Sequence, residues 1–141
     1  MEDGLHGKNY TRFKMEKEKI RIGIIGCSRI AESSVVPAIL SSKFSKLSIV
    51  GSRNINKARK FSEKFQVKEF GTYEDVINNN NINAVYISTP VGLHEKWAVK
   101  ALKAGKHVLC EKSSTVSYES AKKMVNAAKK KDVRILEGFM F

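Results

Sequence analysis

Residues 20–31 read Ile20-Arg21-Ile22-Gly23-Ile24-Ile25-Gly26-Cys27-Ser28-Arg29-Ile30-Ala31. An apolar run of strand type ends at Gly26, a turn of small residues follows, and the sequence then becomes compatible with a helix. That succession opens a βαβ nucleotide-binding unit, in which backbone N–H groups at a helix N-terminus face a pyrophosphate. The expected G-x-G-x-x-G/A spacing is met as Gly26-x-Ser28-x-x-Ala31, with serine in the second glycine position. The motif gains its weight from its placement, early in the chain and ahead of repeated strand–helix alternation.

Outward from this stretch, strands are predicted over 20–25, 47–51, 67–70, 84–87 and 107–110, with a sixth beginning in 132–137. A helix is predicted over about 30–41, which Pro37 should kink or restart because it lacks a backbone donor. Asn54 can cap a second helix running to about Phe65, with Ala58, Phe61 and Phe65 on one face. Thr72, followed three residues later by Asp75, caps a short helix that dissolves into the asparagine run 78–81. A fourth helix over 91–104 places Leu93, Trp97, Ala101 and Leu102 inward and Lys96, Lys100 and Lys103 outward, and Gly105 stops it. A fifth over 117–131 places Ala121, Met124, Val125 and Ala128 inward. Strands alternating with helices at this spacing predict an α/β fold: a doubly wound parallel sheet of Rossmann type, with right-handed crossovers and helices on both faces.

The chain has 141 residues and is 42% hydrophobic, enough for one domain with a real core. Residues 1–19 read as a polar leader, expected to be disordered, and Met15 is a candidate natural start; 20–141 form the domain. No apolar run approaches the roughly 20 residues of a membrane span, and no signal-type stretch precedes Ile20, so no membrane partner is expected. Cys27 and Cys110 have no metal-ligand spacing and follow strand-like runs, which predicts buried free thiols in a reducing cytoplasm and no metal. The net charge of +12 raises the question of nucleic acid. Its cations fall on solvated helix faces (Lys57, Arg59, Lys60, Lys64) and at a helix end (residues 129–131), and no nucleic-acid signature accompanies them. A positive field that favours a phosphate-bearing cofactor is the more economical reading.

In doubly wound sheets ligands lie beyond the carboxyl ends of the strands, so the residues just after each strand are the candidates. These are Gly26, Cys27, Ser28, Arg29 and Ile30 after the first, Ser52 and Arg53 after the second, Ser88, Thr89 and Pro90 after the fourth, with Leu93 and His94 next, and Glu111 and Lys112 after the fifth. A carboxylate after the second strand would mark NAD, whereas an arginine accommodates a 2′-phosphate. No carboxylate occurs from Lys43 to Lys60, and Arg53 with Ser52 suits a phosphate, so NADP is favoured over NAD. The other reading makes Arg53 a solvent-exposed turn residue. Lys112 is the candidate catalytic residue, able to donate to a carbonyl oxygen or polarise a hydroxyl. His94 is read either as a cofactor or substrate contact or as a packing histidine.

Ala104-Gly105-Lys106-His107-Val108-Leu109-Cys110-Glu111-Lys112-Ser113 resembles the A-G-K-H-V-x-x-E-K-P signature of the Gfo/Idh/MocA oxidoreductases. Ser88-Thr89-Pro90-Val91-Gly92-Leu93-His94 is similar to that family's T-P-N-x-x-H stretch, and residues 137–141 resemble the end of its nucleotide domain. The resemblance implies an N-terminal NAD(P)-binding Rossmann domain and hydride transfer to or from a sugar, cyclitol or related hydroxyl or keto compound. It also implies that Lys112 contacts both cofactor and substrate. Three departures stand out: Ser28 for the second glycine, Ser113 for the proline that aims the lysine, and Val91-Gly92 where asparagine is usual. Family members carry a further α+β domain with the substrate pocket and the oligomerisation sheet, and that domain is not in these residues. The chain alone is therefore expected to bind cofactor without being an active enzyme, with the sugar-like substrate and the homo-oligomer belonging to the full-length protein. A stand-alone dinucleotide-binding regulatory module is the alternative. Apolar surface near 139–141 is expected to promote self-association, which sedimentation at high concentration would detect.

Overall fold

The computed structural model describes residues 18–139, so the expectations for the leader up to residue 17 and for residues 140–141 lie outside it. Six strands run β1 (Ile20–Ile25), β2 (Ser45–Gly51), β3 (Glu69–Gly71), β4 (Ala84–Ile87), β5 (His107–Glu111) and β6 (Ile135–Gly138). Five α-helices alternate with them: α1 (Val36–Ser41), α2 (Ile55–Lys64), α3 (Tyr73–Asn78), α4 (His94–Lys103) and α5 (Tyr118–Lys131). Every pairing is parallel and the order is β3-β2-β1-β4-β5-β6. The doubly wound Rossmann expectation is met.

The alternation of side chains decides which helix covers which face. Ile25, Ile49, Val85, Ile87 and Val108 point to one face and form a core with Val76 of α3, Trp97, Ala101 and Leu102 of α4, and Met124 and Ala128 of α5. Ile24, Val50 and Tyr86 point to the other and pack with Ala31, Val36 and Phe61. Burial on both faces is why the strands read as continuous apolar runs instead of alternating ones. On the second face α1 and α2 stop short of β5 and β6. Leu109 and Leu136, paired in register, are 38% and 65% exposed there.

Local chemistry accounts for most element ends. Pro37 cannot donate to a preceding carbonyl, and the helix responds with a π turn over Ala31–Val35 before α1 resumes with Pro37 in its first turn. The Asn54 side chain accepts from the N–H groups of Asn56 and Lys57 and caps α2. Thr72 and Asp75 form a reciprocal capping box at α3. Gly105, at φ +78°, follows α4 as expected.

The bonds from Thr72 hold the Asp75 carboxyl below its ordinary pKa. A depressed folded-state value stabilises the protein above the unfolded pKa and loses that stabilisation as pH falls through the folded one. Asp75→Asn is therefore expected to lower stability by roughly 0.5–1 kcal/mol at neutral pH, an exposed site being discounted for screening. The deficit should shrink below about pH 4, as thermal unfolding across pH would record.

Several boundaries differ from expectation. The third strand lies at Glu69–Gly71, two residues past the predicted start, because Val67 donates back to the Ser62 carbonyl and ends α2. Residues Val91–Leu93 form a separate 3-10 turn before α4. Asp132 does not begin the last strand: it takes the left-handed conformation (φ 51°) that closes α5, one that aspartate tolerates. The buried residues of α5 are Ser120, Met124, Ala127 and Ala128, while Val125 is exposed and Ala121 only half-buried. Small Ser120 and Ala127 permit close packing of α5 on α4, and this rotates the buried stripe away from Val125.

Candidate dinucleotide site

The strand order reverses between β1 and β4, and a crevice opens beyond the carboxyl ends of the strands at that point. Level registers bring the ends together: Ile25 pairs with both Gly51 and Ile87. The ladder continues one residue further, with Gly26 N–H donating to Gly51 O at 3.0 Å and Ser88 N–H to Ile25 O at 3.0 Å. The cleft so formed is about 690 Å³ and is lined by Gly26, Cys27, Ser28, Ser52, Arg53, Asn54, Lys57, Tyr73, Ser88, Thr89 and Pro90. Residues separated by more than 60 positions in sequence thus share one wall.

The turn after β1 is stitched through its serine. Ser28 Oγ accepts from Ala31 N–H at 3.1 Å and donates to Ser88 Oγ at 2.8 Å, and Ser88 Oγ donates to Gly26 O at 2.8 Å. The serine that replaces the second glycine therefore joins the first and fourth strand ends. Gly26 has φ +104°, and a Cβ there would stand 3.1 Å from the Ser88 carbonyl carbon. Cys27 packs beneath the turn, its Sγ 3.6 Å from Gly51 O, and burial pushes its thiol up to about 11. It is an un-ionised wall residue at neutral pH.

At the end of β2, Ser52 is buried and its Oγ accepts from Asn54 N–H at 3.2 Å, which fixes the turn that presents Arg53. Arg53 is exposed toward the cleft and interacts with the Tyr73 hydroxyl; burial raises the Tyr73 pKa, with Arg53 opposing the rise. The cleft lining holds two cations, Arg53 and Lys57, and no carboxylate. Lys57 and Tyr73 are cleft residues that sequence reasoning missed. Lys57 sits one turn into the helix that Asn54 caps, which was the available signal, whereas nothing local marks Tyr73.

The remaining candidates divide. Arg29 lies outside this lining, in a neighbouring groove with Glu32, Lys57, Lys60 and Lys64, because the helix start turns its side chain toward α2. Ile30 is half-buried and leads into the π turn, and Leu93 packs against the core, so both support the site without lining the cleft. His94 is 1% exposed, with Nε2 2.7 Å from Thr89 O and Nδ1 2.9 Å from Ser113 O. Each ring nitrogen faces a carbonyl oxygen, so a neutral ring donates to one of them and packs against the other, and the ring does not line the cleft. Glu111 Oε1 accepts from the Tyr86 hydroxyl at 2.7 Å and Oε2 lies 3.3 Å from Lys112 N. Burial, then the bond and charge of Glu111, drive the Tyr86 pKa upward. The Lys112 side chain is exposed, beside the Lys112–Ser113 peptide, which is cis.

The cleft suits a dinucleotide on two counts. Thr89 Oγ1 is buried in its wall with no hydrogen-bond partner among the described residues, an arrangement that a bound polar group would satisfy. Gly26, without a Cβ, lets the turn after β1 close directly on Ser88 of the opposite cleft wall. Among the described residues no group of His, Cys, Asp and Glu side chains could hold a metal ion, and no helix is long and apolar enough to cross a membrane.

Comparison with known proteins places this geometry. The model of the oxidoreductase family with NAD-binding Rossmann fold, GFO/IDH/MocA, matches residues 20–139. A dTDP-3,4-didehydro-2,6-dideoxy-alpha-D-glucose 3-reductase from Actinomadura kijaniata is 34% identical over 122 residues, covering 86% of this chain and 37% of the relative. The crystal structure of a 3-ketoreductase from Actinomadura kijaniata in complex with NADP superposes with a TM-score of 0.83 at 32% identity, over 86% of this chain and 39% of that one. A scyllo-inositol dehydrogenase from Lactobacillus casei with bound NAD(H) and scyllo-inositol gives a TM-score of 0.77 at 25% identity, over 86% of this chain and 36% of that one. The chain thus spans little more than a third of the length of these relatives. The chain belongs to the Gfo/Idh/MocA oxidoreductase family, and residues 20–139 are its NAD-binding Rossmann domain.

Proposed function

We propose that this chain is the cofactor-binding part of an oxidoreductase that prefers NADP and acts on a hydroxyl or keto group of a sugar, cyclitol or related compound. The observation that carries the preference is the cleft wall at the end of β2, where Arg53 and Lys57 stand with Ser52 and without any carboxylate. A 2′-phosphate there would meet a planar guanidinium suited to bidentate pairing and a second point charge. The NADP bound by the Actinomadura 3-ketoreductase supports this reading.

In the same reading, the turn of Gly26, Cys27 and Ser28 faces the pyrophosphate, and Thr89 Oγ1 supplies a hydrogen bond to the cofactor. The nicotinamide, when bound, carries the hydride. Lys112, at the end of β5, holds a proton on its ammonium and donates to the substrate oxygen on which charge develops. The substrate pocket and the oligomer interface are assigned to the full-length protein, so the chain alone binds cofactor without turnover. The two free buried thiols support a reducing, cytoplasmic setting.

Calorimetric titration of the chain with NADPH and NADH tests the proposal. Saturable binding that favours NADPH is expected. Arg53→Ala should weaken NADPH by roughly 10–100-fold, the scale of one or two charge-assisted hydrogen bonds, and leave NADH within about twofold. Binding of NADH alone, or an indifferent Arg53→Ala, would overturn the NADP preference. A folded chain that binds neither would overturn the function.

A further inference from the structure

Lys112 sits in a segment, residues 112–117, that has no regular secondary structure and lies between β5 and the Ser117 cap of α5. Ser113 stands where the family motif has proline, so no ring stiffens the backbone beside the lysine. Three side chains, of Glu137, of Glu111 (itself held by Tyr86) and of His94, reach this segment from other elements. Glu137 of β6 accepts from Ser114 N–H at 2.7 Å. Tyr86 of β4 restrains Glu111, whose other oxygen faces Lys112 N. His94 reaches Ser113 O at 2.9 Å while its other nitrogen lies 2.7 Å from Thr89 O.

His94 differs from the other two in joining both mouths of the site. Thr89 belongs to the cleft wall after β4, and Ser113 is the neighbour of Lys112 after β5. Both partners are carbonyl oxygens, which only accept. A neutral ring carries one N–H, so it hydrogen-bonds one of the two carbonyls and only packs against the other. As the first residue of α4 and 1% exposed, it is held by the core and has no freedom to swing toward a ligand.

We infer that His94 is a positioning residue for Lys112: its imidazole, fixed by the core at the start of α4, donates from Nδ1 to Ser113 O and so holds the loop that carries the lysine. Groups that act on a reacting atom must be held within about half an ångström of productive geometry, and a side chain on an unsupported loop is not. The role of Lys112 in the reaction rests on the function proposed above; the tie made by His94 does not.

Two measurements on the chain decide this. In hydrogen–deuterium exchange, His94→Leu should speed exchange of the amides of residues 112–115 by roughly tenfold while α4 and the strands keep their protection, and His94→Gln, which retains a donor, should recover much of it. Unchanged exchange at 112–115, or a rise spread evenly over the domain, would overturn the inference. In NADPH titration, the penalty of His94→Leu should largely vanish in a Lys112→Ala background, because the two substitutions remove one interaction. Additive penalties would overturn it as well. A wild-type chain that binds no dinucleotide sinks the proposed function, and the exchange pattern then still decides whether His94 makes the tie.

Discussion

Gly26→Val is expected to abolish dinucleotide binding, with no heat of NADPH binding detectable where the wild-type chain saturates. Two effects act together. The backbone at Gly26 has φ +104°, a conformation that a β-branched residue adopts only under strain. The new Cβ would also stand 3.1 Å from both the carbonyl carbon and oxygen of Ser88 and 3.2 Å from its Oγ. The two carbonyl contacts are with backbone, which cannot swing aside. The Ser28–Ser88–Gly26 hydrogen bonds that set the shape of the turn would have to part. Stability should fall by about 2–4 kcal/mol, combining the strained backbone with the lost bonds. Denaturant unfolding followed alongside calorimetry separates the two losses. A folded Gly26→Val chain that binds NADPH normally would show that the ligand does not use this turn.

Trp97→Ala should produce the largest loss of stability of any single side-chain truncation, about 3–5 kcal/mol. Trp97 is 9% exposed and forms the part of the core where α4 meets α3. Its ring stands edge-on to Tyr73, with centroids 4.9 Å apart and planes at 78°. The ammonium groups of Lys96 and Lys100 lie 4.8 and 5.1 Å from the ring centroid. The midpoint of thermal unfolding should drop by roughly 10–20 °C for a domain of this size. The indole N–H is buried with no hydrogen-bond partner among the described residues, so Trp97→Phe forfeits no bond and should cost far less, about 1–2 kcal/mol. Because Tyr73 leans on Trp97 and also lines the cleft beside Arg53, Trp97→Ala should weaken NADPH more than NADH. Equal destabilisation by the alanine and phenylalanine variants would mean that the ring's packing is not what the core depends on.

The parts of this fold that could be read in advance are those with local causes. The strand of residues 20–25, the Asn54 cap, the Thr72–Asp75 box, the Gly105 stop and the interruption at Pro37 each depend on neighbours within a few residues. Charge carried information too: the absence of carboxylates after the second strand anticipated a cleft wall with cations and no anions. Misreadings arose where a distant partner chose between local options. Val125 and Ala121 satisfy helical periodicity as well as Ala127 does, and only the approach of α4 selects the stripe with Ser120 and Ala127. Arg29 and Lys57 both stand near a helix start. The path of the chain after β1 turns one away from the cleft, and the cap at Asn54 turns the other toward it.

Sequence by itself determined the α/β class, the order of the elements, the glycine turn and the set of strand-end residues from which a dinucleotide site must be drawn. Hydrophobic period and capping chemistry are short-range and are written in consecutive residues. Tertiary structure alone decided what each candidate touches. It set His94 between the carbonyls of Thr89 and Ser113, set Glu111 against Tyr86, brought Tyr73 to Arg53 and left Thr89 Oγ1 without a partner among the described residues. Those outcomes depend on crossovers that carry residues 26, 52, 88 and 111 to one edge of the sheet. A hydrogen bond's direction and a side chain's burial are set by what arrives from elsewhere in the chain, so no window of sequence contains them.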